Sequence, residues 1–194
     1  MVFRLLSALA LLALLSACAG GGSLQPRNLD NACSILNQKR GWSQDLAQVE
    51  RKWGIPAHVI MSTIFFESKF VADARTPREF ALGIIPMGRR STAFGYAQAL
   101  DGTWDEYRDD QGRRFARRDR FDDAVDFMGW YMAGSSERLG IARNDARNQY
   151  LAYHEGRTGY ARGSFNRKQW LLRVASNVAS RAETYRQQLA TCRG

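Results

Sequence analysis

Apolar residues recur at intervals of three and four along most of this chain, and this spacing is typical of amphipathic helices. In the segment 42–53, for example, Leu46, Val49 and Trp53 share one face, and Gly54 is placed to end the helix. Val and Ile rarely alternate with polar residues, and only four prolines occur in 194 residues. The sequence therefore predicts an all-α, single globular domain with short loops and without β-hairpins.

The same spacing predicts five further helices, at about 56–69, 101–107, 122–139, 144–154 and 166–189. Prolines and glycines interrupt the segment 76–91, which is therefore predicted to be irregular. The final helix is predicted to bury one stripe of side chains, formed by Trp170, Val174, Val178, Arg181, Tyr185 and Leu189.

The chain begins with a short apolar segment. Arg4 precedes a nearly unbroken Leu/Ala run at 5–15, which is shorter than the roughly 20 residues that a membrane-spanning helix needs. A positive residue, a short apolar run and small residues after it are typical of a secretory signal peptide. The sequence therefore predicts export.

The end of this run, Leu15-Ser16-Ala17-Cys18, resembles a bacterial lipobox. The resemblance implies a signal peptide at 1–17, lipidation of Cys18, and a periplasmic protein anchored to the outer membrane as a lipoprotein. Residues 18–32, with their Gly-rich start, are predicted to be a flexible tether, and residues 33–194 the domain. The alternative is simple secretion, with Cys18 inside the discarded peptide.

The formal charge of +9 indicates an acidic neighbour, for which anionic cell-wall polymer or lipid headgroups both qualify in an exported protein. Export and the lack of a nucleic-acid motif argue against nucleic acid, and the arginines of 113–120 are interpreted as a solvated loop. Cys33 and Cys192, left after lipidation of Cys18, are expected to form a disulfide. With two histidines and no cysteine cluster, we expect neither a metal site nor a cofactor.

One acidic residue lies at the end of an apolar helix face. Ile60, Ile64 and Glu67 fall on the same side of the helix predicted at 56–69. Burial disfavours the charged form of a carboxyl, so Glu67 is a candidate general acid near neutral pH. An ion-paired or snorkelling glutamate at a helix end is the alternative, and periodicity alone favours it.

Three short motifs around these residues resemble the soluble lytic transglycosylase (SLT) domain family of the lysozyme-like superfamily. The family patterns are Glu-Ser-x-Phe-x-x-x-Ala, Gly-x-x-Gln and Ala-Tyr-Asn-x-Gly. In this sequence they correspond, in the same order, to Glu67-Ser68-Lys69-Phe70-Val71-Ala72-Asp73-Ala74, Gly95-Tyr96-Ala97-Gln98 and Ala152-Tyr153-His154-Glu155-Gly156.

The resemblance implies a helical, goose-type lysozyme-like fold and a peptidoglycan lytic transglycosylase. In that chemistry Glu67 is the sole catalytic acid and base, and 1,6-anhydromuramoyl products form. Gln98 and Tyr153 would position the acetamido group of the substrate, and Ser68 would lie near the cleaved bond. Peptidoglycan strands are then the expected partner.

The sequence departs from the family pattern in two places. Glu67 and Gln98 are 31 positions apart, so 75–92 is interpreted as an inserted loop at the cleft. His154 and Glu155 stand where asparagine and a small residue are common, and Glu155 adds a second carboxylate, predicted to support Glu67 or to pair with Arg157 or Arg162. Three other functions remain open: a lysozyme-type hydrolase with Glu155 as its base, a non-catalytic peptidoglycan-binding lipoprotein, and a structural envelope tether.

Overall fold

The computed structural model describes residues 25–81 and 85–192. In this part of the chain, seven α-helices surround a common core, and one short hairpin lies between the third and fourth. The elements are α1 (Ala32–Gln38), α2 (Trp42–Trp53), α3 (Ala57–Ser68), β1 (Arg78–Ala81), β2 (Ile85–Arg89), α4 (Asp101–Asp110), α5 (Phe121–Leu139), α6 (Ala146–Ala161), a 3-10 turn (Ser164–Arg167) and α7 (Gln169–Thr191). The predicted helical fold class is confirmed. The signal peptide, Cys18 and the first part of the tether lie outside the described residues.

Helix α3 is the centre of the fold. It packs against α2, α5, α6 and α7, and its residues from Val59 to Ile64 are all buried. Gly54 ends α2 in the left-handed conformation and Pro56 caps α3 at the start, as glycine and proline favour. Because α3 is apolar on nearly every side, the polar residues of its last turn are held in a fixed place.

The prediction of no β-hairpin is wrong. Strands β1 and β2 pair antiparallel, with Arg78 opposite Arg89 and Ala81 opposite Ile85, and a register irregularity falls between Glu79 and Phe80. Strands of four and five residues are too short to show a clear alternation of apolar and polar positions, and cross-strand pairing, which stabilises them, is not a property of one local segment.

The stripe predicted for α7 is partly wrong. Val178 and Tyr185 are buried as expected, but the other buried positions are Leu171, Ala175 and Ala182, whereas Trp170 is 49% exposed. These buried positions are alternately four and three residues apart. At the start of the helix the buried face therefore passes through Leu171 rather than through the predicted Trp170. Trp170 is consequently not a core residue.

The chain folds onto the domain before residue 33, the predicted end of the tether. The Gln25 side-chain amide donates to the Lys69 carbonyl at 2.6 Å, Pro26 is buried, and Arg181 pairs with Asp30 at 2.6 Å. The unpredicted helix α1 follows at 32, capped by the Asn31 side chain. The packed part of the chain therefore includes the residues from 25 onward. The sequence did not predict this, because the segment is locally polar and its partners are distant in sequence.

A disulfide joins Cys33 in α1 to Cys192 after α7, with their Cα atoms 5.5 Å apart. The arginine-rich loop before α5 is largely exposed, as interpreted from the sequence, and ion pairs hold it in place. Its ion pairs are Arg113–Asp123, Arg117–Asp119, Arg118–Asp101 and Arg120–Asp122. Throughout the described residues, no helix combines the length and the apolar character that a bilayer crossing demands, and no cluster of possible metal ligands occurs.

Candidate active site

Glu67 lies in the last turn of α3, where the chain makes an unusual turn. The next residues, Lys69 and Phe70, both adopt positive φ angles, 52° and 60°, which costs roughly 1–2 kcal/mol for each non-glycine residue. Phe70 is completely buried and stacks against Trp42 at 5.9 Å, so packing offsets this strain. The helix therefore stops directly after Glu67 and Ser68.

Burial sets the acidity of Glu67. It raises the pKa of this carboxyl from 4.5 to about 7, against a smaller opposing effect of the hydrogen bond from Tyr150, which favours the ionised form. Within the described residues Glu67 takes part in no ion pair, so the ion-paired interpretation left open by periodicity is wrong. A substantial fraction of Glu67 is therefore protonated near neutral pH and can donate a proton.

The Gly95–Gln98 turn is fastened directly to the end of α3. Ser68 is buried and its hydroxyl donates to the Tyr96 carbonyl at 2.8 Å. The Gln98 side-chain amide donates to the Gly95 and Ala74 carbonyls at 2.8 and 2.9 Å. Both side chains, predicted as substrate contacts, hold backbone in place here, and the Gln98 side chain also lines a pocket described below.

Gly95 is needed for this turn. Its φ is +79°, and a Cβ atom at this position would lie 2.1 Å from the Arg118 carbonyl oxygen, which the backbone of the turn approaches closely. This close approach is the steric reason why the second motif has a glycine at this position.

Helix α6 contributes two tyrosines to the neighbourhood of Glu67. The Tyr153 hydroxyl donates to the Ala97 carbonyl at 2.6 Å, and the negative charge of Glu67 contributes to raising the pKa of this tyrosine well above its usual value, after burial. Tyr150, one turn earlier, interacts with Glu67 and favours the ionised form of this carboxyl, which lowers its pKa against the larger effect of burial. Sequence reasoning missed Tyr150 as a site residue, although its i, i+3 spacing from Tyr153 places both on one helix face.

Glu155 is held by three donors of its own. Its carboxylate accepts hydrogen bonds from Lys168 Nζ at 2.7 Å, His154 Nδ1 at 3.1 Å and the Ser164 hydroxyl, and its side chain is only 4% exposed. Desolvation alone would raise the pKa of Glu155, but these hydrogen bonds outweigh it and lower the pKa to about 2. The charge of Glu155 is thus fully compensated within this cluster.

Two expectations for Glu155 need correction. Its ion-pair partner is Lys168 rather than Arg157 or Arg162, because the backbone turns at Gly156, where φ is +73°, and directs the side chain toward the 3-10 turn. Arg157 instead donates to the Tyr131 carbonyl at 3.0 Å. The raised pKa of Glu67 comes from burial, not from repulsion by Glu155.

A pocket of about 220 Å³ opens between the second and third motifs. Its lining residues are Gln98, Ala99, Leu100, Thr103, Phe127, Tyr131, Tyr153, His154, Glu155 and Gly156. Aromatic walls with a few polar groups are typical of sites that bind small polar molecules such as sugars. A larger pocket of about 530 Å³ lies near the start of α3 and contains none of the residues of the three motifs.

Comparison with known protein families decides the identity of this arrangement. The transglycosylase SLT domain matches residues 6–192. The chain belongs to this family. No curated protein and no solved structure matches it significantly. The family match confirms the resemblance seen in the sequence, the all-α lysozyme-like fold, and a coarse assignment to peptidoglycan-acting transglycosylases.

In this SLT domain the three motifs meet through hydrogen bonds rather than through sequence proximity. Ser68 of the first motif holds the second motif at Tyr96, and Tyr153 of the third motif holds it at Ala97. Glu67 is placed beside α6 by the same contacts. The 31-residue spacing between Glu67 and Gln98 is absorbed by the β1–β2 hairpin, which leaves the site intact.

We predict that Glu155→Gln destabilises this SLT domain by about 1–2 kcal/mol at pH 7, because a neutral amide at this position weakens the charge-assisted hydrogen bonds from Lys168 and His154. The folded-state pKa of Glu155, about 2, lies below the unfolded value near 4.5. Its contribution is therefore complete above pH 4.5 and is lost as the pH falls toward 2.

Urea unfolding of the parent and the variant between pH 7 and pH 3 measures this difference. The gap in the free energy of unfolding should narrow as the pH falls. Lys168→Met is the matched partner: if the two substitutions together cost clearly less than the sum of the single effects, the pair is coupled. A gap that does not depend on pH would contradict the assigned ion pair.

Proposed function

We propose that this protein is a peptidoglycan lytic transglycosylase that cleaves the β-1,4 bond between N-acetylmuramic acid and N-acetylglucosamine and leaves 1,6-anhydromuramoyl ends. The observation that carries the proposal is Glu67: a partly buried carboxyl whose desolvation raises its pKa to about 7, beside a tyrosine that favours its ionised form, with no cation paired with it among the described residues. Such a group can donate and then accept one proton near neutral pH.

The reaction needs no second protein carboxylate. Protonated Glu67 donates its proton to the glycosidic oxygen as the bond from this oxygen to the muramoyl C1 breaks. The 2-acetamido carbonyl of the substrate stabilises the positive C1, a recognised exception to two-carboxylate chemistry. Ionised Glu67 then takes the proton from the C6 hydroxyl, while the C6 oxygen bonds to C1. The ring closes, Glu67 is again protonated, and no water is consumed.

Tyr150 suits the middle of this cycle. Its interaction with Glu67 lowers the pKa of this carboxyl, because a hydroxyl donor stabilises a carboxylate more than a carboxylic acid. Burial favours the protonated state, so the two effects together hold Glu67 where both states are accessible. This balance is what a single residue requires in order to act first as acid and then as base.

The second candidate is a lysozyme-type hydrolase, in which Glu155 would activate water. The surroundings of Glu155 disfavour this: a pKa of about 2 makes it a weak base, and Lys168, Ser164 and His154 already use its oxygen atoms. A non-catalytic binding protein is disfavoured by the intact acid and its desolvated setting.

The deciding experiment is mass spectrometry of muropeptides released from sacculi by the purified protein. Anhydro-terminated products, about 18 Da lighter than reducing ends because water is not added, support the proposal. Reducing-end products would establish the hydrolase instead. Absence of any released fragment from a folded protein would favour a binding role.

We also propose that the protein is anchored in the outer membrane, facing the periplasm, through a lipid on Cys18. The support is the sequence Leu15-Ser16-Ala17-Cys18 after a short apolar run. Labelling of cells with a palmitate analogue should mark the parent and not Cys18→Ala. An unlabelled parent protein would contradict the anchor without affecting the proposed reaction.

A further inference from the structure

Trp170 is a large aromatic residue that the fold does not need. It is 49% exposed at the start of α7, next to the buried Leu171, and the core stripe of that helix passes it by. An exposed tryptophan loses much of the stabilisation that its burial would give, so its position calls for another explanation than core packing. The described part of the chain has two other exposed large hydrophobic residues, Leu100 and Phe115.

Trp170 is connected to Glu67 by a continuous row of rings. Tyr150 interacts with Glu67, its ring centroid is 6.3 Å from that of His154, and the His154 ring centroid is 5.2 Å from that of Trp170. We refer to Tyr150, His154 and Trp170 as the aromatic row. It begins next to the proposed acid and ends at the exposed Trp170.

The middle of the aromatic row is fixed in place. Nδ1 of His154 is 3.1 Å from the Glu155 carboxylate, which is itself held by Lys168 and Ser164. The His154 and Trp170 ring planes lie at 75°, an edge-to-face arrangement that leaves a face of the indole uncovered by the histidine. His154 also lines the 220 Å³ pocket, so this residue connects the pocket to Trp170 at the surface, while Tyr150 lies buried behind it.

The chemistry of this surface fits a sugar. A pyranose presents a face of C–H groups that packs on an aromatic ring, and hydroxyls around its edge that need hydrogen-bond partners. Among the described residues no atom accepts a hydrogen bond from the Trp170 indole N–H, so this donor remains for a ligand hydroxyl. The exposed ring, the free donor and the fixed imidazole are the groups that such a ligand requires.

We infer that the exposed face of Trp170 is a saccharide subsite, which extends glycan binding beyond the pocket, past His154. The inference rests on the proposed function, since it takes the glycan strand as the ligand. The subsite binds one sugar unit of the strand away from the cleaved bond. Its contribution is affinity for longer strands rather than chemistry.

Binding is measured without cleavage, in the Glu67→Gln background, with glycan strands from which the stem peptides have been removed. Trp170→Ala should weaken binding by about tenfold, the usual scale for truncating a tryptophan at an interface. Trp170→Phe, which keeps a ring, should restore most of it. Phe115→Ala is the matched control, because Phe115 is 94% exposed and lies outside the pocket, and it should bind as the parent does.

Two further measurements separate a subsite from a structural role. In the enzyme with Glu67 intact, Trp170→Ala should raise KM for long strands with kcat nearly unchanged, as expected for uniform binding. The change in tryptophan emission when stripped strands are added to the Glu67→Gln protein should disappear in the Trp170→Phe variant. Thermal stability of the Trp170 variants should stay close to that of the parent, because the residue is outside the core.

Equal affinities of the parent and Trp170→Ala for stripped strands overturn the inference, as does failure of the Glu67→Gln parent to bind them. A loss of affinity seen only with strands that carry stem peptides would assign the surface to peptide and likewise overturn the saccharide subsite. The two proposals fail separately. Reducing-end muropeptides would end the transglycosylase proposal, whereas tenfold weaker binding of stripped strands by Trp170→Ala would still support the subsite.

Discussion

Replacing Glu67 by glutamine should reduce the release of muropeptides by at least about 10²–10⁴-fold, the usual contribution of general acid and base catalysis. Glutamine preserves the shape of the side chain and can still accept the hydrogen bond from Tyr150, but it cannot deliver a proton. The measurement is the rate of soluble fragment release from sacculi. Glu137→Gln, a change at a side chain that is 71% exposed on α5, is the matched control and should be indistinguishable from the parent.

The same substitution should not weaken the fold near neutral pH. The pKa of Glu67 is raised in the folded protein, from 4.5 to about 7, so ionisation opposes folding as the pH rises through this interval. Glutamine removes this opposition. The Glu67→Gln protein should therefore equal or exceed the parent in urea unfolding above pH 7, while its activity is lost. Near-parental release of fragments by the variant would refute the assignment of Glu67.

Because the first step needs protonated Glu67, kcat/KM of the parent should decline above about pH 7, the value to which burial raises this pKa. A solvent-exposed glutamate on an ordinary helix face could not act as the general acid in this step. Such a residue would be almost entirely ionised at this pH. The apolar character of α3 and the abrupt end of that helix are what place a carboxyl in a desolvated position.

The parts that the sequence predicted well are those determined by local spacing. The apolar faces of α2 and α5 and the residues that end or begin helices, such as Gly54 and Pro56, follow from a helical repeat within one segment. The motif around Glu67 was recognised by its resemblance to the family pattern rather than by spacing. The burial of Glu67 was not settled by the sequence, because Ile60, Ile64 and Glu67 share one helix face, yet periodicity alone favoured an ion-paired or snorkelling glutamate.

The parts that the sequence did not predict depend on contacts between distant segments. Helix α1 and the chain from residue 25 look like a polar tether until Lys69 and Arg181 are placed beside them. The partner of Glu155 was predicted wrongly, because the non-helical backbone at Gly156 interrupts the helix between Glu155 and the nearby Arg157 and Arg162. The role of Tyr150 follows only from the packing of α6 against α3.

Removal of the Cys33–Cys192 disulfide should lower the free energy of unfolding by about 2–5 kcal/mol, because the bond closes a loop of nearly the whole domain. The double variant Cys33→Ser/Cys192→Ser avoids free thiols, and guanidinium unfolding gives the midpoint. For a domain of this size the expected fall in Tm is roughly 5–15 °C. The parent protein in reductant should match the variant, and equal midpoints for parent and variant would contradict the prediction.

Activity separates this effect from damage to the catalytic centre. Cys192 and Ala57 line the same pocket, at the start of α3, while Glu67 lies in its last turn, about 15 Å along the helix at roughly 1.5 Å per residue. Well below its lower Tm, the double serine variant should therefore retain most of the parental rate. The lost stability should appear as faster inactivation on warming. A variant that remains folded at about 25 °C but is inactive would show that the disulfide acts on the site itself, through the segment that leads from α1 to Lys69.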